Sequence, residues 1–146
     1  MLICGQWLLC DDGVRRPIFR VEIESSTGSW IEAPFLVDMG ADRTVFSAAI
    51  AAVLGLSPAQ ASHQLLGVGG ISASILLSTT IRFATDSGTK IVFRGDFAAF
   101  TSLEALDMSV LGRDILNLFA VIVDRPQETV WLVLQRWLQQ AISHKS

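Results

Sequence analysis

Charge is scarce in this chain of 146 residues: Asp and Glu number 14, Lys and Arg 11, and the formal net charge is −3. The basic residues are scattered, which argues against the electrostatic footprint of a nucleic-acid binder. There are 2 Cys and 2 His, too few for a disulfide framework or a structural zinc site. Placed on one extended strand, Cys4 and Cys10 would lie roughly 20 Å apart, beyond bridging distance, and they read as small strand hydrophobes. No apolar run approaches the ~18 residues of a membrane span. The opening Met1 to Cys10 is apolar but broken by Gly5 and Gln6, has no leading Lys or Arg, and is followed by Asp11-Asp12. It therefore reads as neither signal peptide nor anchor, and the expectation is a protein mature from Met1, cytoplasmic, with no membrane or nucleic-acid partner.

What is present is a 51% hydrophobic composition with 4 Pro and 11 Gly, enough apolar material for one domain with its own core. Phe19, Val21 and Ile23 alternate with Arg20, Glu22 and Glu24, the period of a half-buried strand. Trp30 to Asp38 reads as extended and ends in the apolar run Phe35-Leu36-Val37. The longest alternation runs from Ile71 to Phe83, with strands also expected at Lys90 to Phe93, Phe97 to Thr101, Ala120 to Val123 and Thr129 to Leu134. Ser25 to Ser29 and Thr85 to Gly88 read as turns. Helical signals are short: Ser47 caps Ala48 to Leu54 with Gly55 as the stop, a second helix is expected from Arg113 to Leu118, and Arg136 to Ile142 has an amphipathic pattern. No linker or short repeat is evident. The pattern predicts a mainly β fold, a closed barrel or folded sheet with small helices.

Three segments stand out chemically. Phe35-Leu36-Val37-Asp38-Met39-Gly40-Ala41-Asp42 sets an acid at a strand end and a glycine two residues on. Leu65-Leu66-Gly67-Val68-Gly69-Gly70-Ile71 is glycine-rich but lacks the Lys-Ser/Thr of a phosphate loop, and a strand follows it. Val110-Leu111-Gly112-Arg113-Asp114 opens the second short helix. Arg94-Gly95-Asp96 matches an adhesion tripeptide at a length that recurs by chance. Taken alone, Asp38-Met39-Gly40 reads as a turn.

In this order the three segments resemble the retropepsins, the retroviral-type aspartic proteases, over roughly residues 14–134, with residues 135–146 as a C-terminal helix or tail. The resemblance implies a single retropepsin-like domain spanning 1–146. It makes Asp38 the catalytic acid on an active-site loop with Met39, Gly40 and Ala41. Gly67, Val68, Gly69, Gly70 and Ile71 become a flap hairpin over the substrate, and Leu36 and Val110 walls of the cleft. Asp42 and Arg113 become an internal ion pair buttressing the loop. Arg43 falls where family members line the cleft. The family works with two Asp carboxylates that share a proton, because two like charges so close cannot both ionise easily. With one such loop in a suitable setting, the resemblance implies a homodimer acting on peptide or protein substrates, with no cofactor and no metal. Met39 stands where the family has Thr or Ser. A peptide-binding pseudoprotease or assembly module is the alternative, and a small barrel for an apolar ligand a more distant one.

Overall fold

In the computed structural model, which describes residues 1–58, 63–67, 70–103 and 108–134, the period-two segments become strands that bury one face. The elements are β1 (Leu2–Cys4), β2 (Gln6–Leu9), β3 (Arg15–Glu24), β4 (Trp30–Val37), β5 (Val45–Phe46), α1 (Ala48–Leu54) and β6 (His63–Gly67). They continue with β7 (Gly70–Ala84), β8 (Lys90–Phe100), β9 (Ser109–Leu111), α2 (Arg113–Leu116), β10 (Phe119–Asp124) and β11 (Thr129–Leu134). The segment expected to form a C-terminal helix, 136–142, lies outside the described residues.

Strands β3, β4, β9, β5, β8 and β7 are neighbours in that order, and pairing of β3 with β7 closes them into a six-stranded barrel. The order reads the same backwards when β3 exchanges with β7, β4 with β8 and β5 with β9. β4–β9 and β5–β8 are both parallel, around an antiparallel β5–β9 contact. The chain is therefore built from two equivalent halves, a repeat that the sequence pattern did not reveal. Their hairpin turns match in chemistry. Ser25, Thr27 and Ser29 share hydroxyl hydrogen bonds of 2.7–3.1 Å, and Thr85, Ser87 and Thr89 do the same at 2.7–3.3 Å. In each turn a glycine, Gly28 or Gly88, takes the positive φ of 82° or 85° that a side chain would resist.

The fully buried side chains Phe19, Phe35, Phe46, Phe83, Ile23 and Leu77 fill the barrel. Phe46 stacks edge-on against Phe35 at 5.8 Å and lies 5.5 Å from Phe97, favourable offsets for ring quadrupoles. A second, smaller cluster joins Val45, Leu76, Ala98 and Val110 with Leu36, Ala41 and Phe100. Ser47 caps α1 by accepting from the Ile50 N–H at 3.3 Å, and Gly55 ends it at φ 66°, as its flanking residues predict.

Four expectations need correction. The first ten residues are not one strand: β1 pairs with β11 and β2 with β3, and the chain turns between them at Gly5, whose N–H donates to Val130 O at 2.7 Å. Cys4 and Cys10 are accordingly not on one strand, and both are free thiols. Lys90 to Phe93 and Phe97 to Thr101 are parts of one strand, because Arg94, Gly95 and Asp96 pair with Thr80, Thr79 and Ser78. There Arg94 Nε donates to Thr80 Oγ1 at 3.2 Å and Ser78 Oγ donates to Asp96, so the tripeptide is part of a paired strand and not an adhesion turn. Finally, α2 stops at Leu116: the Asn117 N–H makes the last helical bond, to Arg113 O at 3.0 Å, and the Leu118 N–H already reaches only three residues back, to Ile115 O at 3.0 Å.

Closure of the barrel rests on a short seam, Glu22 opposite Arg82 and Ile23 opposite Ile81. Glu22 binds Arg82 Nη2 at 3.0 Å and Lys90 Nζ at 2.6 Å, and Arg82 lies over the Trp30 ring at 3.7 Å. Hydrogen bonding from Arg82 and then Lys90 holds the Glu22 carboxyl below its ordinary value. A depressed carboxyl stabilises the fold above its unfolded-state pKa and loses that contribution as pH falls through the folded-state value. Glu22→Gln should lower stability by about 1 kcal/mol, or ~4 °C in melting temperature, at neutral pH. Thermal melts should show the difference shrinking once pH drops below the ordinary glutamate range.

Candidate active site

The site forms where β4 runs out. Val37 is opposite Leu111 of β9, and the Asp38 N–H still donates to Leu111 O at 3.1 Å, so the acid is fixed to the sheet before the chain turns. The turn is closed locally: Gly40 N–H donates to Asp38 Oδ1 at 3.0 Å and Ala41 N–H to Asp38 O at 3.2 Å. Asp38 is half-buried. Among the described residues its second carboxylate oxygen has no hydrogen-bond partner, leaving it open to a water or a second acid. Met39 beside it is 48% exposed. Leu36 and Val110, expected as cleft walls, lie side by side in register and belong to the smaller apolar cluster, with Ala41 packed against it.

The start of α2 holds the loop from below. Arg113 N–H donates to Ala41 O at 2.9 Å and Asp114 N–H to Asp42 O at 3.2 Å. Gly112 approaches the loop so closely that a Cβ there would lie 2.4 Å from the carbonyl carbon and oxygen of Arg43. The brace itself is a residue that sequence reasoning assigned no role. Asp114 accepts from Thr44 N–H at 3.0 Å on both oxygens, from Thr44 Oγ1 at 2.7 Å and from Ile115 N–H at 2.9 Å. The buried Thr44 hydroxyl accepts in turn from Gly112 N–H at 3.1 Å. A carboxylate taking this many donors at a helix start is a strong fastening.

Asp42 and Arg113 also meet, Arg113 Nη2 against Asp42 Oδ1, but their side chains are 81% and 45% exposed. In the single chain this pair lies at the surface, where it contributes roughly 0–1 kcal/mol, and the fastening that reaches a buried group of the loop, the Thr44 hydroxyl, is made by Asp114. The glycine hairpin joins β6 to β7, with Gly67 opposite Gly70 and Leu66 opposite Ile71; Val68 and Gly69 lie outside the described residues. Asp86-Ser87-Gly88 also has an Asp-x-Gly spacing, but its carboxylate accepts the Leu2 N–H at 3.0 Å, tying the turn to β1. Among the described residues no three His, Cys, Asp or Glu side chains converge as a metal site.

A closed six-stranded barrel with a half-buried acid on a helix-braced loop defines the single-lobed acid-protease class. The chain belongs to the retroviral aspartyl protease family, whose sequence model matches residues 14–123. A retropepsin-like aspartic protease from Rickettsia conorii has a similar structure, with a TM-score of 0.51 and 18% identity over 90% of this chain and 88% of that one. The EIAV protease bound to the inhibitor HBY-793 is 26% identical over 70% and 86% of the two chains, TM-score 0.45. The retroviral protease-like domain of Ddi1 from Leishmania major is 14% identical over 81% and 94%, TM-score 0.43. No curated protein gives a match.

Proposed function

We propose that this chain is an aspartic endopeptidase active as a homodimer, in which two Asp38 carboxylates activate a water against a peptide bond. The observation that carries the reading is Asp38 itself, half-buried on a loop fastened by Asp114, with one oxygen held by Gly40 and the other open. Peptide hydrolysis needs one carboxylate to draw a proton from water and another to protonate the carbonyl, and close carboxylates share a proton for this. The second acid comes from a second copy across a twofold axis.

The edge of the small sheet supports such pairing. Its order is β1-β11-β10, so among the described residues β10 has a free outer edge. That strand carries Ile122 and Val123, 40% and 46% exposed, and no Lys or Pro to discourage edge-to-edge pairing. Gly67 to Ile71 would serve as the flap over an extended peptide. The test is incubation of the full chain with a denatured protein mixture at mildly acidic pH, beside Asp38→Asn. The reading requires fragments from the parent alone; an intact mixture with both would contradict it.

Met39 sets the strength of this dimer. A Thr hydroxyl at this position, as the family has, offers a donor and an acceptor across the axis, whereas a thioether donates nothing. A hydrogen bond contributes roughly 0.5–1.5 kcal/mol net, and two copies occur per dimer. Met39→Thr should therefore tighten the dimer about tenfold to a hundredfold and raise cleavage at low enzyme concentration. Sedimentation equilibrium alongside the rate at several dilutions checks this; an unchanged dimer constant and rate would show that residue 39 does not set the strength of the dimer.

A further inference from the structure

The two faces of the small sheet differ in what covers them. On one, Ile3, Leu132 and Val121 stand side by side, and with Val130, Leu134 and Phe119 they pack into the main core. The other carries two rows across the strands: Leu2, Val133 and Ala120, then Cys4, Trp131 and Ile122. All six side chains are apolar. Cys4 and Ala120 are exposed, and Ile122 and Trp131 keep 40% and 36% of their surface in solvent. On this face of the three strands the one charge is Asp124, at the far end opposite Thr129. A continuous apolar face of this kind marks a docking surface.

Twelve residues, 135–146, follow β11, the middle strand of the sheet. At the end of β11 the inner face is already filled by the core, so a chain that turns back after Leu134 meets the outer one. The lengths agree: β11 spans roughly 20 Å, and a helix over 136–145 would span roughly 15 Å. Running back along β11, it would set Trp137 and Leu138 level with the row of Leu2, and Ala141 and Ile142 level with the row of Cys4. His144 and Lys145 would then come level with Asp124, so the cationic end of the tail meets the one acid of the face. A helix this short is marginal in water without an apolar surface to lie on. The face and the stripe thus complete each other, and a link of one or two residues gives the encounter an effective concentration on the order of millimolar. That favours the chain's own tail over a second copy.

We propose that residues 135–146 fold back as an amphipathic helix on the outer face of β1, β11 and β10 of the same chain, covering Cys4 and Trp131. The helix lies on the face and not along the edge, so the outer edge of β10 stays open to a second copy. The tail also shields the Cys4 thiol, whose reactivity depends on access and therefore reports the docking. Nothing in this inference rests on the peptidase reading, and none of its readouts involves cleavage.

The test uses the full chain with Cys10→Ser, which leaves Cys4 as the one native thiol. Ala141→Cys adds a thiol on the apolar stripe, and Ser143→Cys adds one about 200° round the same helix. Treated with a short bismaleimide in dilute solution, Ala141→Cys should link to Cys4 within one chain about tenfold faster than Ser143→Cys does. Leu138→Glu, which sets a charge in the stripe, should speed alkylation of Cys4 about tenfold by opening the tail. Thermal melts of the barrel should stay close to the parent's. Equal linking from the two positions, or none from either, would mean that the tail presents no fixed side to the sheet. Links between chains would assign the face to a second copy, and an alkylation rate unmoved by Leu138→Glu would leave the face uncovered. Any of these results would overturn the proposal.

Discussion

Asp38→Asn is expected to lower peptide cleavage about 10²–10⁴-fold, the contribution of a positioned proton-transfer group. The amide keeps the size of the carboxylate and can still accept the Gly40 N–H, so the turn at 3.0 Å survives. What it lacks is the ionisable oxygen, and with it the proton that two acids would share across the axis. Thermal melts should match the parent closely, because Asp38 takes no part in the Thr44–Asp114 brace. Peptide turnover at saturating substrate checks the prediction; an Asn variant with the parent's kcat would mean that the water is activated elsewhere.

The second large effect is expected at Gly112, away from the reacting atoms. An alanine Cβ there meets the Arg43 backbone at 2.4 Å, and backbone on both sides has no rotamer by which to yield. The helix start and the loop must separate, stretching the bonds from Gly112 N–H to Thr44 and from Arg113 N–H to Ala41 O. Overpacking of this kind costs roughly 1–3 kcal/mol, and a displacement of about 1 Å at the acid costs on the order of 10²-fold in rate. Gly112→Ala should therefore lose activity out of proportion to stability. Gly95→Ala is the control: its φ is unremarkable and a Cβ there meets nothing within 4 Å. Equal losses in the two variants would show that the α2–loop contact does not position Asp38.

Much of this architecture is legible in the chain, for reasons that differ by residue. Phe19, Val21 and Ile23 declare a strand because one face is buried and the other wet, and Ser47 and Gly55 declare α1 because the first satisfies an orphan N–H at the helix start and the second takes the positive φ that ends it. Asp38 stands out as an acid directly after an apolar run. The Thr44–Asp114 brace gives no such signal. Its halves are 70 residues apart, and an Asp after an Arg at a helix start looks like any solvated pair. The internal repeat is hidden because hydroxyls are interchangeable in its turns: Ser25, Thr27 and Ser29 make the same bonds as Thr85, Ser87 and Thr89 with different residues. Gly95 reads as a break in β8, yet pairing with Thr79 carries the strand through it. The bend at Gly5 depends on an acceptor, Val130 O, far along the chain.

Mixing the parent with Asp38→Asn at constant total protein tests the central claim most directly, namely that the working unit holds two Asp38 residues from two copies. If both acids are required and subunits exchange freely, activity follows the square of the parent fraction, so an equal mixture retains about one quarter of the parent's rate. A linear response, with about one half of the rate retained, would show that a single Asp38 suffices and would contradict the dimeric mechanism.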